Sequence, residues 1–181
     1  MLFYGNKNIY HQKNQCLVVY TSGTTPELIQ KELLLFVNQL VSLNITLVSG
    51  WHSMFEKKLL NLCLANPVSN VIHVLARKHT NLNRNFRHYP EDRFLVINPD
   101  IGTERISRHT VSKRDNFILS EFHHFLFLYI HPDGHANEVF EQCVARKKNI
   151  FLYNHPLNKP FFWDSVTLLD IFSIDLLACL D

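Results

Sequence analysis

The apolar residues of this chain fall into short unbroken runs, separated by stretches in which apolar positions recur every three to four residues. The first run, Cys16-Leu-Val-Val-Tyr20, is apolar at nearly every position and has the length of a buried strand. A polar turn follows, Thr21-Ser-Gly-Thr-Thr25. Leu28, Ile29, Leu33, Phe36, Val37, Leu40 and Val41 then lay a stripe along one side of a helix, with Thr25 placed to cap it and Pro26 in its first turn. The alternation continues. Residues 45–49 read as a second strand ending at Gly50, and Phe55, Leu59, Leu60, Cys63 and Leu64 as a second helix stopped near Pro67. Strands at 71–75 and 94–97 follow. A strand at 125–129, a Pro-Asp-Gly turn, a helix over 136–147 and a strand at 150–153 complete the series.

Strands that are apolar at almost every position are covered on both faces, and strands alternating with helices are joined in parallel. The expected fold is therefore α/β, a Rossmann-like three-layer sandwich with a mostly parallel sheet. Residues 16–160 are expected to form that domain and residues 1–15 an N-terminal arm. Residues 161–181 read as an apolar helical tail that covers the core or, through Phe161-Phe-Trp163, a partner in a homo-oligomer. Right-handed crossovers bring the loops after parallel strands to one edge of a sheet. The loops after Tyr20, Ser49 and Ile130 are thus expected to meet, although they are far apart in sequence.

Composition narrows the class. A length of 181 residues suits one globular domain, and 46% hydrophobic with 19% charged residues argues against disorder. No apolar run reaches the roughly 18 residues of a bilayer span, so no membrane partner is expected. The first 15 residues lack the pattern of a secretory signal, which points to the cytoplasm, with Cys16, Cys63, Cys143 and Cys179 as reduced thiols. The net charge of +2 is unevenly spread: residues 77–114 hold nine of the 18 lysines and arginines but four of the 16 acids. Such a segment suits a phosphate-bearing partner or forms a solvated loop.

Candidate chemistry sits in the strand-end loops. Thr21, Ser22, Gly23 and Thr24 leave a strand and open a helix, where N–H and hydroxyl groups either surround an anion or cap the helix. Ser49 and Gly50 stand in the same place after the second strand, and Asp133 and Gly134 after the strand that ends at Ile130. His131 and His135 span a turn with no third ligand set by spacing, so no metal and no other cofactor is expected. Glu138 and Glu141 are three residues apart, near one helix face, placed to orient a ribose, to activate water or to face solvent.

In this order, Leu47-Val-Ser-Gly50, Lys113-Arg-Asp-Asn-Phe-Ile118, Asp133-Gly134 and Ile150-Phe-Leu152 with Asn154-His-Pro156 resemble the segments of the Smf/DprA and LOG-like (SLOG) superfamily of Rossmann proteins. The resemblance covers residues 16–160. It implies non-catalytic binding of a phosphate-bearing ligand at the three loops, with single-stranded nucleic acid, as in DprA, as the first expectation. Lys113 and Arg114 would be phosphate contacts, and Arg84 and Arg87 further nucleic-acid contacts. The alternatives are a LOG-like nucleoside monophosphate phosphoribohydrolase using Glu138 or Glu141, and a sensor of a small signalling nucleotide. Thr21-Ser-Gly23 stands where DprA has Gly-Ser-Arg, and Met54-Phe-Glu56 where that pattern continues to Gly-Ile-Asp.

Overall fold

A computed structural model describes residues 1–180. Its strands are β1 (Leu2–Gly5), β2 (Cys16–Thr21), β3 (Thr46–Ser49), β4 (Asn70–Val74), β5 (Phe94–Asn98), β6 (His124–Tyr129), β7 (Asn149–Tyr153) and β8 (Val166–Leu169). They form one sheet in the order β1-β5-β4-β3-β2-β6-β7-β8, with β1 antiparallel to β5 and every other pair parallel. The helices are α1 (Asn8–His11), α2 (Glu27–Leu40), α3 (Met54–Ala65), α4 (Leu82–Phe86), α5 (Arg108–Glu121) and α6 (His135–Ala145).

The period-two alternation of β2 sends its side chains into two cores. Leu17 and Val19 meet Ile29, Leu33 and Phe36 of α2 and Phe55 and Leu59 of α3 on one face. Cys16, Val18 and Tyr20 meet Ile118 of α5 and Val139, Phe140 and Cys143 of α6 on the other. This is the expected three-layer sandwich. Cys16, Cys63 and Cys143 are free thiols inside it, each pushed up to about 12 by burial; the side chain of Cys179 lies outside the described residues.

The ends of the chain differ from the expected arm and helical tail. Residues 2–5 form the antiparallel edge strand β1, which gives the backbone of β5 its second partner. Gly5 has φ +95, and a Cβ there would run into the Phe94 carbonyl, so Gly5→Ala is expected to lower stability by at least about 1 kcal/mol, measured by thermal unfolding. The tail enters the sheet as β8, parallel to β7, because its apolar residues alternate: Val166 and Leu168 pack toward the α5–α6 layer and Leu169 toward the α2–α3 layer. A 3-10 helix, Ile174–Cys179, follows, with Ile174 and Leu177 in the core, and Asp181 lies outside the described residues. Phe161 and Trp163 pack edge-on against Phe140 of the same chain, 5.5 and 5.1 Å between ring centroids. Among the described residues no helix is long and apolar enough to cross a membrane.

Candidate functional site

The strand order reverses between β2 and β6, and at such a switch point the following loops diverge to opposite faces and leave a crevice. The loop after β2 and the loop after β6 are bonded to each other: the Ser22 N–H donates to the Tyr129 carbonyl (2.9 Å), and the His131 N–H donates to Ser22 Oγ (2.7 Å). A cavity of about 400 Å³ opens beside them, lined by Thr21, Gly23, Ser49, Gly50, Glu56, Arg114 and His135. The three loops expected to meet therefore border one crevice. A second cavity of about 480 Å³ adjoins it on the β4 side, sharing Gly50, His52 and Lys57 and adding His73, Arg77 and Phe86. A third, about 690 Å³, adjoins it through His135 and includes Arg108, Asp133 and Glu138.

The floor of the central cavity is a buried polar cluster. Asp115, 2% exposed, accepts from Tyr20 Oη (2.8 Å), from Arg114 Nε and Nη2 (2.8 and 2.7 Å), and pairs with His135 Nε2 (2.7 Å). Burial on its own would raise the Asp115 carboxyl, but the His135 hydrogen bond and the Arg114 charge outweigh it and hold the group below its usual range. The same bond to Asp115 raises His135. Arg114 is 3% exposed, and among the described residues its Nη1 has no hydrogen-bond partner. That guanidinium lies close against Gly50, where a Cβ would sit 2.8 Å from Cζ. Gly50 thus makes room for an arginine of the chain itself.

Glu56, 5% exposed, closes the other side of the floor. Its Oε1 accepts from the Thr21 N–H (3.3 Å) and its Oε2 from the N–H groups of His52 and Ser53 (2.8 and 3.1 Å), while Ser53 Oγ accepts from the Glu56 N–H (3.0 Å). This is a capping box at the start of α3, extended by one amide from the β2 loop. By contrast, α6 begins at the crevice with no side-chain cap among the described residues. Thr25 does not cap α2 as expected, since its hydroxyl turns to Thr21 Oγ1 and the Ser22 carbonyl and the helix starts one residue later, from Pro26. Trp51, with φ 53, is held by Ser49 Oγ (3.2 Å) and by its indole N–H on the Ile72 carbonyl (3.2 Å). Burial lowers His52 to about 4 and His73 to about 3, so both imidazoles are neutral at pH 7.

The other expected residues are spread around this core. Thr21, Ser22 and Ser49 are buried, and Gly23 and Thr24 are exposed at the start of α2. Asp133 is exposed at the third cavity, and Gly134 is the N-cap of α6. Lys113 is exposed on α5, whereas Arg114, expected to face a phosphate, points inward to Asp115 because α5 turns that face to the sheet. Arg84 and Arg87 are exposed on and just after α4, whose Asn85 and Phe86 line the second cavity. Glu138 meets His135 Nδ1 (3.2 Å) and Glu141 accepts from Asn137 Nδ2 (3.2 Å). Of the basic segment, half-buried Arg93 is also tied down, donating to the carbonyls of Cys63, Leu64, Asn66 and Ser69 at and just after the end of α3. Among the described residues no group of three or more His, Cys, Asp or Glu side chains is placed to hold a metal.

Tyr20, Glu56, Asp115 and His135 were not among the expected site residues. Ser53-x-x-Glu56 carries a legible signal, the spacing of a capping box. Nothing in the sequence pairs Asp115 with Tyr20, 95 residues away.

No protein-family model matches the sequence, and no curated protein matches it. Solved structures share its fold. The DNA processing protein A (DprA) of Streptococcus pneumoniae is similar with a TM-score of 0.77 at 15% identity, over 99% of this chain and 65% of that one. The DNA processing protein A of Helicobacter pylori, described for its single-stranded DNA binding mode, is similar with a TM-score of 0.71 at 10% identity, over 97% of this chain and 83% of that one. The chain spans slightly less than two thirds of the S. pneumoniae protein and has the DprA-like Rossmann fold.

Proposed function

We propose that this chain binds single-stranded nucleic acid, DNA in the first place, along the C-terminal edge of its sheet, and that it does so without catalysis. The observation that carries the reading is the convergence on one central cavity, at the switch point, of the Thr21–Gly23 loop, the Ser49–Gly50 loop and the uncapped start of α6 at His135. Free amides at a helix start favour phosphate oxygens. Lys57 and Arg77 in the adjoining cavity supply full charges, and exposed Arg84 and Arg87 extend the cationic surface past α4. Neutral His52 and His73 beside Phe86 give the same trough a less polar wall suited to a base. The fold likeness to a protein described for single-stranded DNA binding supports the same ligand class.

Labelled single-stranded oligonucleotides titrated at several salt concentrations test the reading by fluorescence anisotropy. The logarithm of the binding constant is expected to fall linearly with the logarithm of salt. Lys57→Ala and Arg77→Ala should each flatten that slope by about 0.7, the value per neutralised phosphate on a single strand. Absence of binding at the lowest salt would end the proposal.

A further inference from the structure

We infer that the amide cradle in the floor of the central cavity is an oxyanion site which this chain fills with its own Glu56 carboxylate, and that vacating it yields a site for one tetrahedral oxyanion of the phosphate or sulfate class. The N–H groups of Thr21, His52 and Ser53 come from two different loops and converge on one carboxylate, at 3.3, 2.8 and 3.1 Å. Converging amides from a strand-end loop and a helix start are the means by which proteins hold phosphate oxygens. Both Glu56 oxygens are engaged and the side chain is buried, so the cradle is occupied rather than merely shielded.

A second observation points to an anion at the same place. Arg114 lines the same cavity, is 3% exposed, and keeps Nη1 without a partner although Asp115 holds its Nε and Nη2. With Glu56 in place its carboxylate lines the central cavity beside Arg114, whose charge Asp115 already offsets, so the floor offers a phosphate no unbalanced positive charge. Burial raises the Glu56 carboxyl, against the bonds from Ser53 and His52 and the Arg114 charge. The consequence is a division of the crevice: ligand phosphates are kept to the rim, at Gly23, the start of α6, Lys57 and Arg77, and the floor is closed to them. The inference does not depend on nucleic acid being the ligand, because the cradle is defined by amide geometry.

Glu56→Ala and Glu56→Gln test it with inorganic phosphate as the probe and chloride of equal ionic strength as the control. Wild-type protein is expected to show only the small, non-saturating rise in melting temperature that phosphate gives by exclusion from protein surfaces. Glu56→Ala should melt lower in chloride and regain stability in phosphate with a saturable dependence, and ³¹P line broadening should report an affinity on the order of tenfold above that of wild type. Glu56→Gln keeps an acceptor for the start of α3 but removes the charge, and should shift in the same direction by less. If Glu56→Ala does not fold in chloride, its refolding in phosphate is the readout, and recovery there supports the inference. Phosphate indifference of both variants, or wild-type protein binding phosphate as tightly as they do, overturns it.

Discussion

Replacing Asp115 by alanine is expected to cost about 3–5 kcal/mol of folding stability, read at pH 7 as a fall in the urea midpoint with little change in slope. Asp115 is the only acid within hydrogen-bond distance of the Arg114 guanidinium among the described residues, and Arg114 is 3% exposed. Removing the carboxylate leaves a cation in the interior without its ion-pair and hydrogen-bond partner, offset only by the more distant Glu56 charge. It also strips the Tyr20 hydroxyl and His135 Nε2 of their partner. Replacing both members, as in Arg114→Met with Asp115→Leu, should cost less than Asp115→Ala, since no unpaired charge is then buried. A double variant as unstable as the single one would show that the ion pair is not the cause.

The same cluster sets two pH limits of opposite sign. Asp115 is held below its usual range in the folded chain, so its contribution is present above pH 4 and is lost as pH falls through the lowered folded value. His135 is raised, so its contribution is complete below pH 6.5 and is lost as pH rises through the raised folded value. Stability should therefore decline as pH rises above 6.5 in wild type, and that decline should be smaller in Asp115→Ala.

The contrast between α5 and the other main helices explains what the sequence could and could not disclose. The buried positions of α2 are Ile29, Leu33, Phe36, Val37 and Leu40, a stripe that any apolar periodicity finds. Those of α5 are Thr110, Arg114, Asp115, Ile118 and Leu119, and the first turns of its inner face are polar. The residues from 107 to 114 therefore read as part of a basic segment. Local chemistry holds the start of the helix instead, through reciprocal bonds between Ser107 and Thr110. The polar stretch that hides the helix is the one that builds the cavity floor.

Short edge strands escaped for a different reason. β1 and β8 are four residues each, and their ordering comes from neighbours already in place, not from their own pattern. The meeting of the three loops was legible because it follows from strand order and crossover handedness, which depend on the long buried strands. Which side chains fill the space between those loops was not, because Tyr20, Glu56, Asp115 and His135 find each other or the loop amides through the fold. Charge counting by segment also overstated the surface: half-buried Arg93 is bound to carbonyls at and just after the end of α3, and buried Arg114 to Asp115.

Gly50→Ala is expected to cost about 1–3 kcal/mol and to weaken ligand binding at the crevice. The cause is steric, with no positive φ at this position. The new Cβ would overlap Arg114 Nη1, lie 2.8 Å from its Cζ and 3.0 Å from His52 Cδ2. A surface arginine would swing away at little cost. Arg114 is pinned through Nε and Nη2 by Asp115 Oδ1 at 2.8 and 2.7 Å, so the clash must be relieved by moving β3, the start of α3 or the ion pair. Gly23→Ala is the matched control, because a Cβ there meets nothing within 4 Å, and it should stay within about 0.5 kcal/mol of wild type. Shortening the arginine side should relieve the strain, so Gly50→Ala added to an Arg114→Met background should cost less than in wild type. Equal costs in the two backgrounds would mean that Gly50 serves something other than the seat of Arg114.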